Sequence, residues 1–262
     1  MASRISLNLA TIQPAPLDEK LHAAATAGLR AVGLAWREMA EQGEAGAEAV
    51  RFSGLLVSEI ASVSGWTDSD RTSRTIALAR AEQAFELAAN LGCSTVVASP
   101  PPGETEAFSI ANDFRELCRL AEPFQIKVGL EFIGAFEQIN DVASAWEIVE
   151  LAEAGNGGLA IDTFDFFRGA STLDMLEAVP GEKVCLVQVS DCMELPRHEM
   201  ENRHRVYPGT GVLPLESLLA IFRDKGYSGY YSLELYNEEY WQESPLVVAR
   251  EGLRAMRRLD LR

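Results

Sequence analysis

The chain of 262 residues lacks several features that mark common classes of protein. No apolar run approaches the roughly 18 residues that a membrane-spanning helix needs, so no membrane association is predicted. Residues 1–10 contain one Arg and no long apolar core, so we expect no signal peptide. The contents of glycine and proline, 20 and 11 residues, are ordinary, which excludes collagen-like and low-complexity chains.

Basic residues are scarce as well. The 23 Lys and Arg residues stand against 39 Asp and Glu residues, for a formal net charge of −16. Nucleic acids require a basic face, so we expect a small-molecule substrate and no nucleic-acid partner. The four Cys residues form no C-x-x-C pair, which predicts reduced, buried thiols in the cytoplasm: Cys93, Cys118, Cys185 and Cys192.

Apolar runs and helical stripes alternate along the chain. Ile110, Phe114 and Leu117 are spaced by four and three residues, which is one face of a helix. Short apolar runs between such stripes are typical of buried parallel strands. Eight strands are predicted: Ile5–Leu9, Ala31–Ala35, Leu55–Ile60, Thr95–Ala98, Lys127–Ile133, Leu159–Ile161, Val184–Val189 and Tyr230–Leu235.

Eight strand–helix units predict an α/β fold. Repeated units of this kind give a parallel sheet with right-handed crossovers, and eight of them close into a (β/α)8 TIM barrel. We therefore expect a single domain over residues 1–262. An open doubly wound sheet is the alternative, but its usual glycine-rich first turn is absent from residues 10–14.

Polar residues interrupt four of the late apolar strands near their C-terminal ends. They are Glu131, Asp162, Gln188 and Glu234. The C-terminal ends of barrel strands converge on the active site. Carboxylates brought together there repel one another unless a cation neutralises them, and oxygen ligands suit hard divalent ions. We therefore predict one metal ion, Mn or Mg, with Co or Zn as alternatives. Separate loop caps or Arg pairs are the competing interpretation.

A series of motifs around these residues resembles the xylose-isomerase-like TIM-barrel superfamily. The motifs are Gly-Leu-Glu131-Phe, Ala-Ile-Asp162-Thr-Phe, Val-Gln188-Val-Ser-Asp191, Arg205-Val-Tyr-Pro-Gly-Thr-Gly211 and Tyr-Ser-Leu-Glu234-Leu-Tyr-Asn237. The superfamily includes sugar isomerases and epimerases, inosose dehydratase, 3-dehydroshikimate dehydratase and endonuclease IV-like repair enzymes. Gln188, where many members have His, is similar to the dehydroshikimate dehydratases. Three His residues are too few for the trinuclear zinc site of the repair enzymes.

The resemblance implies roles for individual residues. It implies a divalent metal held by Glu131, Asp162, Gln188 and Glu234. For an isomerase, we expect Glu131 and Glu234 to approach the substrate from opposite sides, one removing a proton and the other returning it. It also implies substrate contact by Arg205, whose guanidinium suits an anionic or oxyanionic group. A loop salt bridge is the alternative role for Arg205.

One position departs from the family pattern. The family often has His three residues after the Asp of the sixth strand, whereas this chain has Asp165. Asp165 either binds a substrate hydroxyl or is an ordinary acidic residue in the first turn of a helix. Two aromatic residues are predicted to form pocket walls: Trp36, just past the second strand, and Phe164, beside a metal ligand.

Three functions follow as hypotheses. The first is a metal-dependent isomerase or epimerase of a small keto sugar or keto polyol, which abstracts a proton next to a carbonyl through an enediolate. The second is a lyase that dehydrates a cyclic keto polyol such as 3-dehydroshikimate or an inosose. The third is a non-catalytic barrel that binds a metal or ligand, or serves as a partner subunit. A homo-oligomer is left open.

Overall fold

The eight predicted strands form a barrel in the computed structural model, which describes residues 4–103 and 105–261. Residues 1–3, within the segment in which no signal peptide is predicted, lie outside the described residues, as do Glu104 and Arg262. The strands are β1 (Ile5–Asn8), β2 (Ala31–Ala35), β3 (Leu56–Val63), β4 (Thr95–Ala98), β5 (Lys127–Glu131), β6 (Gly157–Asp162), β7 (Val184–Val189), β8 (Asp191–Cys192), β9 (Arg205–Val206) and β10 (Tyr231–Leu233).

The barrel strands are all parallel and follow one another in chain order. β1 to β7 are neighbours in sequence, and β10 lies between β7 and β1. The pairing of Ile5 with Tyr231 and of Leu7 with Leu233 closes the sheet. The predicted single (β/α)8 barrel is therefore confirmed, and the open doubly wound sheet is wrong. β8 and β9 form a separate antiparallel pair beside the barrel.

Helices connect the strands on the outside. The first helix, α1 (Leu17–Ala27), is followed by Gly28, whose φ of +93° is the left-handed conformation that glycine adopts without strain. The remaining helices are α2 (Trp36–Ser53), α3 (Arg71–Asn90), α4 (Ala107–Ala121), α5 (Val142–Ala152), α6 (Thr163–Arg168), α7 (Leu215–Asp224) and α8 (Pro245–Met256). α4 contains the predicted apolar stripe of Ile110, Phe114 and Leu117, and all three residues are buried.

The two faces of the sheet carry different residues because strand side chains alternate. On β6, Leu159 and Ile161 join the main core between strands and helices. Ala160, on the other face, belongs to a small separate cluster with Val97 and Leu186. Asp162 shares the face of Ala160, which points into the barrel. The inward face of β6 is therefore apolar at Ala160 and polar at Asp162, at the C-terminal end of the barrel.

The structure also bears on the predictions about membrane-spanning helices and about the cysteine residues. Among the described residues, no helix combines the length and the hydrophobicity needed to cross a lipid bilayer. All four Cys residues are free thiols and are buried. They pack as small apolar residues, as predicted from their spacing.

Candidate metal centre

Three carboxylates meet at the C-terminal end of the barrel. Glu131 is the last residue of β5, Asp162 is the last residue of β6, and Glu234 directly follows β10. One oxygen from each group lies within 4.8 Å of the other two. Gln188 on β7 pairs in register with Asp162, which brings its amide to the same level. The structure thus brings together the four residues predicted to be metal ligands.

The two oxygens of Glu234 have different surroundings. Oε1 accepts hydrogen bonds from Nδ2 of Asn8 and from Nε2 of Gln188, both at 2.7 Å. Oε2 lies 3.7 Å from Nη1 of Arg205 and accepts no hydrogen bond from the described residues. The carboxylate is therefore held by one oxygen and presents the other to the centre of the site.

Asn8, Glu59 and Ser232 form a buried chain that sequence reasoning missed. Oδ1 of Asn8 accepts from the backbone N–H of Ala10 at 3.0 Å, and its Nδ2 also lies 3.4 Å from Oε1 of Glu59. The hydroxyl of Ser232 donates to the same Glu59 oxygen at 2.6 Å. All three residues are buried. The pattern that identified the carboxylates could also have identified Asn8 and Glu59, because both are polar residues that interrupt apolar strands.

Asp162 links the strand to the residues that follow it. Its Oδ1 accepts the backbone N–H groups of Phe164 and Asp165, at 2.7 and 3.0 Å, and so caps the short helix α6. Its Oδ2 accepts from Nη1 of Arg205 at 2.6 Å. The side chain is completely buried. These contacts fix the orientation of its carboxylate.

Arg205 lies inside the site and is only 3% exposed. Besides Asp162, it contacts Oδ2 of Asp165 through Nη2 at 3.3 Å. The guanidinium lies 4.5 Å from the ring centre of Phe164 and 5.6 Å from that of Tyr236, as cation–π contacts. Phe164, predicted as a pocket wall, is fully buried and supports Arg205 from one side.

Asp165 faces the same centre. Its Oδ1 accepts the backbone N–H of Gly134 at 2.8 Å, while Oδ2 faces Arg205. It also occupies the first turn of α6. Asp165 therefore occupies a helix N-terminus and also pairs with Arg205, so it is not an acid with only a local role.

Asp191 organises the loop that carries Arg205. Its two oxygens accept four backbone N–H groups, from Cys192, Gly209, Gly211 and Leu213, at 2.8 to 3.0 Å. A Cβ at Gly211 would lie 2.2 Å from the carbonyl oxygen of Cys192, so this approach requires glycine. Asp191 is therefore the cap of this loop.

Excess negative charge dominates the site. Glu131, Asp162, Asp165 and Glu234 face one guanidinium, so the formal charge is −3 when all four are ionised. Burial and the nearby Asp165 and Asp162 carboxylates raise the pKa of Glu131 to about 8. Burial and Asp162 raise the pKa of Asp165 to about 6, and burial raises the pKa of Glu234.

The donor atoms fit a divalent cation. Oε1 of Gln188 is buried and has no hydrogen-bond partner among the described residues. Glu131 and Oε2 of Glu234 also accept no hydrogen bond from the described residues. Two ligands of one small cation lie at most about 4 Å apart, so carboxylate oxygens within 4.8 Å need only small movements. A cation here would satisfy the orphaned amide oxygen and reduce the charge.

Trp36 is placed differently from the carboxylates. It begins α2 at the same end of the barrel and lines a cleft of about 820 Å³ together with Ser62, Ser64 and Arg80. No hydrogen bond, ion pair or ring contact found in the described residues joins Trp36 to the carboxylates. His198, in the loop before β9, is mostly exposed, and His204 caps the backbone of Glu201.

Comparisons with known proteins agree with this architecture. A family model described as xylose isomerase-like TIM barrel matches residues 21–259. An inosose isomerase from Halalkalibacterium halodurans is 37% identical over 137 residues, which cover 52% of this chain and 49% of that protein. A 3-dehydroshikimate dehydratase from Pseudomonas aeruginosa is 30% identical over 256 residues, 93% of this chain and 40% of that protein. The matches thus span half or less of these two relatives.

Solved structures show the same fold. An IolI protein with a bound zinc atom superposes with a TM-score of 0.88 at 22% identity, covering 96% of each chain. A D-psicose 3-epimerase with D-tagatose, from Clostridium cellulolyticum, superposes with a TM-score of 0.77 at 15% identity, covering 97% of this chain and 96% of the other. At these identities the likeness concerns the fold.

Proposed function

Because the chain belongs to the xylose isomerase-like TIM-barrel family, we propose that it is a divalent-metal-dependent isomerase or epimerase of a small keto sugar or keto polyol. The observation that carries this proposal is the cluster of three carboxylates beside the orphaned oxygen of Gln188. Oxygen donors of this kind favour Mn²⁺ or Mg²⁺, with Co²⁺ and Zn²⁺ as alternatives. The ligands would be Glu131, Asp162, Gln188 and Glu234.

The chain's own residues account for the proton transfers. When bound, the cation would act as a Lewis acid toward the substrate carbonyl. Glu131 and Glu234 project from β5 and β10, which are separated by β6 and β7, so they reach the substrate from different sides. One would remove the proton from the carbon next to the carbonyl, and the other would return it.

Arg205 and the aromatic residues would position the substrate. The buried guanidinium is held rigidly by Asp162 and Phe164, and its positive charge would partly offset the negative charge that develops on the substrate during proton abstraction. Asp165 would accept a hydrogen bond from a substrate hydroxyl. Trp36, which begins α2 at the same end of the barrel, would form the outer wall of the substrate pocket. The buried free thiols are compatible with the cytoplasmic location that we also propose.

A second candidate function is dehydration of a cyclic keto polyol. Two observations favour it: Gln188 at the third ligand position, and the alignment of 93% of this chain with a 3-dehydroshikimate dehydratase. A lyase would begin with the same proton abstraction and then expel a β-hydroxyl group as water. The two reactions differ in the mass of the product.

The test is exchange of the substrate's proton with solvent. Purified protein loaded with Mn²⁺ is incubated in D₂O with inosose, D-psicose and D-tagatose, and deuterium next to the carbonyl is followed by NMR. Product of unchanged skeleton mass supports the isomerase, and loss of water supports the lyase. No exchange with any keto polyol at saturating Mn²⁺ would refute both.

Three variants sharpen this test. Glu131→Gln and Glu234→Gln keep the size of the side chain and remove the charge and the base, so each should lower exchange by at least 10²-fold, as for general acid–base groups. Glu182→Gln is the matched control, because Glu182 is exposed and precedes β7 at the opposite end of the barrel. Circular dichroism checks that all three remain folded. Near-normal exchange in both site variants would show that neither residue is the base.

A further inference from the structure

The guanidinium of Arg205 has no free edge for a further anion. Nη1 contacts Asp162 at 2.6 Å, Nη2 contacts Asp165 at 3.3 Å, and Nε lies 3.3 Å from Oδ1 of Asn202. The rings of Phe164 and Tyr236 lie near its faces. A bidentate pair with a ligand carboxylate or phosphate needs two adjacent N–H groups, and those of Arg205 are already shared between two protein carboxylates.

The net charge around Arg205 also disfavours binding of an anionic ligand. Within the described residues, the ion pairs of this cluster contain one cationic side chain and three carboxylates, those of Asp162, Asp165 and Glu234. Glu131 adds a fourth carboxylate nearby. With a divalent cation present, the formal charge of the cluster would still be −1. A charged group of a ligand that enters a buried site without a partner loses its hydration and gains no compensating contact.

Asp165 is the residue that leaves the cluster with a net negative charge. It is buried, it is not one of the proposed metal ligands, and its carboxylate closes the second edge of the Arg205 guanidinium. Building on the proposed function, we propose that Asp165 makes the site selective for uncharged keto polyols and excludes substrates that carry a carboxylate or phosphate near the reacting carbonyl. Hydroxyl groups suit such a site, because they donate hydrogen bonds to the excess carboxylate oxygens.

Replacement of Asp165 by Asn isolates this effect. Asparagine has nearly the same shape, and its oxygen can still accept the N–H of Gly134. The change removes one negative charge and releases Nη2 of Arg205. A charge-assisted hydrogen bond gained by an anionic ligand corresponds to roughly 10- to 150-fold in affinity. Affinity for a neutral polyol should stay the same or fall, because the new amide nitrogen cannot accept a hydrogen bond from a hydroxyl group.

The experiment measures ligand binding by calorimetry in protein saturated with Mn²⁺. The probes are inosose, which is neutral, and 3-dehydroshikimate, a cyclic ketone of similar size that carries a carboxylate. The wild-type protein should bind inosose at least 10-fold more tightly, and Asp165→Asn should tighten binding of the acid by 10- to 150-fold. Asp174→Asn, an exposed position in the segment after α6, controls for the change in net charge.

The outcomes separate this inference from the proposed function. Binding of Mn²⁺ together with equal or tighter binding of the acid by the wild-type protein overturns the selectivity and leaves the metal-dependent function standing. Binding of the acid that is no tighter in Asp165→Asn than in the wild-type protein also overturns it. If the protein binds no Mn²⁺, or binds neither of the two ketones, the selectivity and the proposed function are both overturned. If Asp165→Asn does not fold, the wild-type ratio alone decides.

Discussion

Glu131 should make the metal-free protein less stable as the pH rises. An unperturbed Glu titrates near 4.5, whereas burial and the carboxylates of Asp165 and Asp162 raise the pKa of Glu131 to about 8 in the folded protein. Between these values the folded state binds a proton that the unfolded chain has released. The free energy of unfolding therefore falls from pH 5 to pH 8, and the stabilisation is complete only below the unfolded pKa.

The structure sets the size of this effect. At about 1.4 kcal/mol per pH unit, the interval from 4.5 to about 8 gives an upper limit of about 5 kcal/mol. Glu131 is partly exposed and interacts with other titrating carboxylates, so we expect a loss of about 2–4 kcal/mol. Mn²⁺ requires the ionised carboxylate. Its stabilising effect should therefore be larger at pH 8 than at pH 5.

Urea unfolding between pH 5 and pH 8 provides the assay. EDTA-treated protein and protein with saturating Mn²⁺ are compared, with tryptophan fluorescence as the probe. Glu131→Gln cannot titrate, so its metal-free stability should depend less on pH, with a residual slope from Asp165, Glu234 and Glu59, whose pKa values burial also raises. Metal-free stability that is constant or rises from pH 5 to pH 8, or an equal slope in Glu131→Gln, would refute the reasoning.

Three further variants address the surroundings of the site. Asn8→Ala removes one of two donors to Glu234 and should lower kcat/KM by about 10- to 100-fold, measured by proton exchange; an unchanged rate would contradict the positioning role. Gln188→Leu removes the orphaned oxygen and should weaken Mn²⁺ binding about 10-fold or more by calorimetry, whereas an equal Kd would exclude Gln188 as a ligand. Asp191→Ala leaves four backbone N–H groups without their acceptor and should cost about 2–4 kcal/mol in urea unfolding, whereas an unchanged free energy of unfolding would contradict the capping role.

The barrel was predictable because each strand is specified locally. The run Val184–Val189 has the same bounds in the structure as in the prediction, and β5 ends at Glu131, two residues before the predicted end. A continuous apolar run of β-branched residues fits a strand that is buried on both faces. Polar residues at the ends of such runs then identify the level of the site, whatever the details of the loops.

The contacts of the loop residues were not predictable in the same way. Arg205 meets Asp162 and Asp165, which lie 43 and 40 positions earlier in the chain. These contacts depend on the path of the segment after β7. Asp191 fixes that path by accepting hydrogen bonds from backbone N–H groups 18 to 22 residues later in the chain. No local pattern encodes such distant pairings, so the sequence indicates that Arg205 acts at the site but not that carboxylates already hold it.

The buried chain of Asn8, Glu59 and Ser232 is better explained as a means of orienting Asn8 than as a contribution to the stability of the fold. Burial raises the pKa of Glu59, and its Oε2 has no partner among the described residues, so the group is costly to keep inside the barrel. Apolar residues of similar volume would fill such a position at least as well. Glu59 instead shares the Nδ2 of Asn8 with Glu234, and a Cβ at Gly33 would lie 1.9 Å from the Glu59 carboxylate. The glycine makes room for a carboxyl group that fixes Asn8. For this reason the Asn8 variant should lose turnover more than it loses stability.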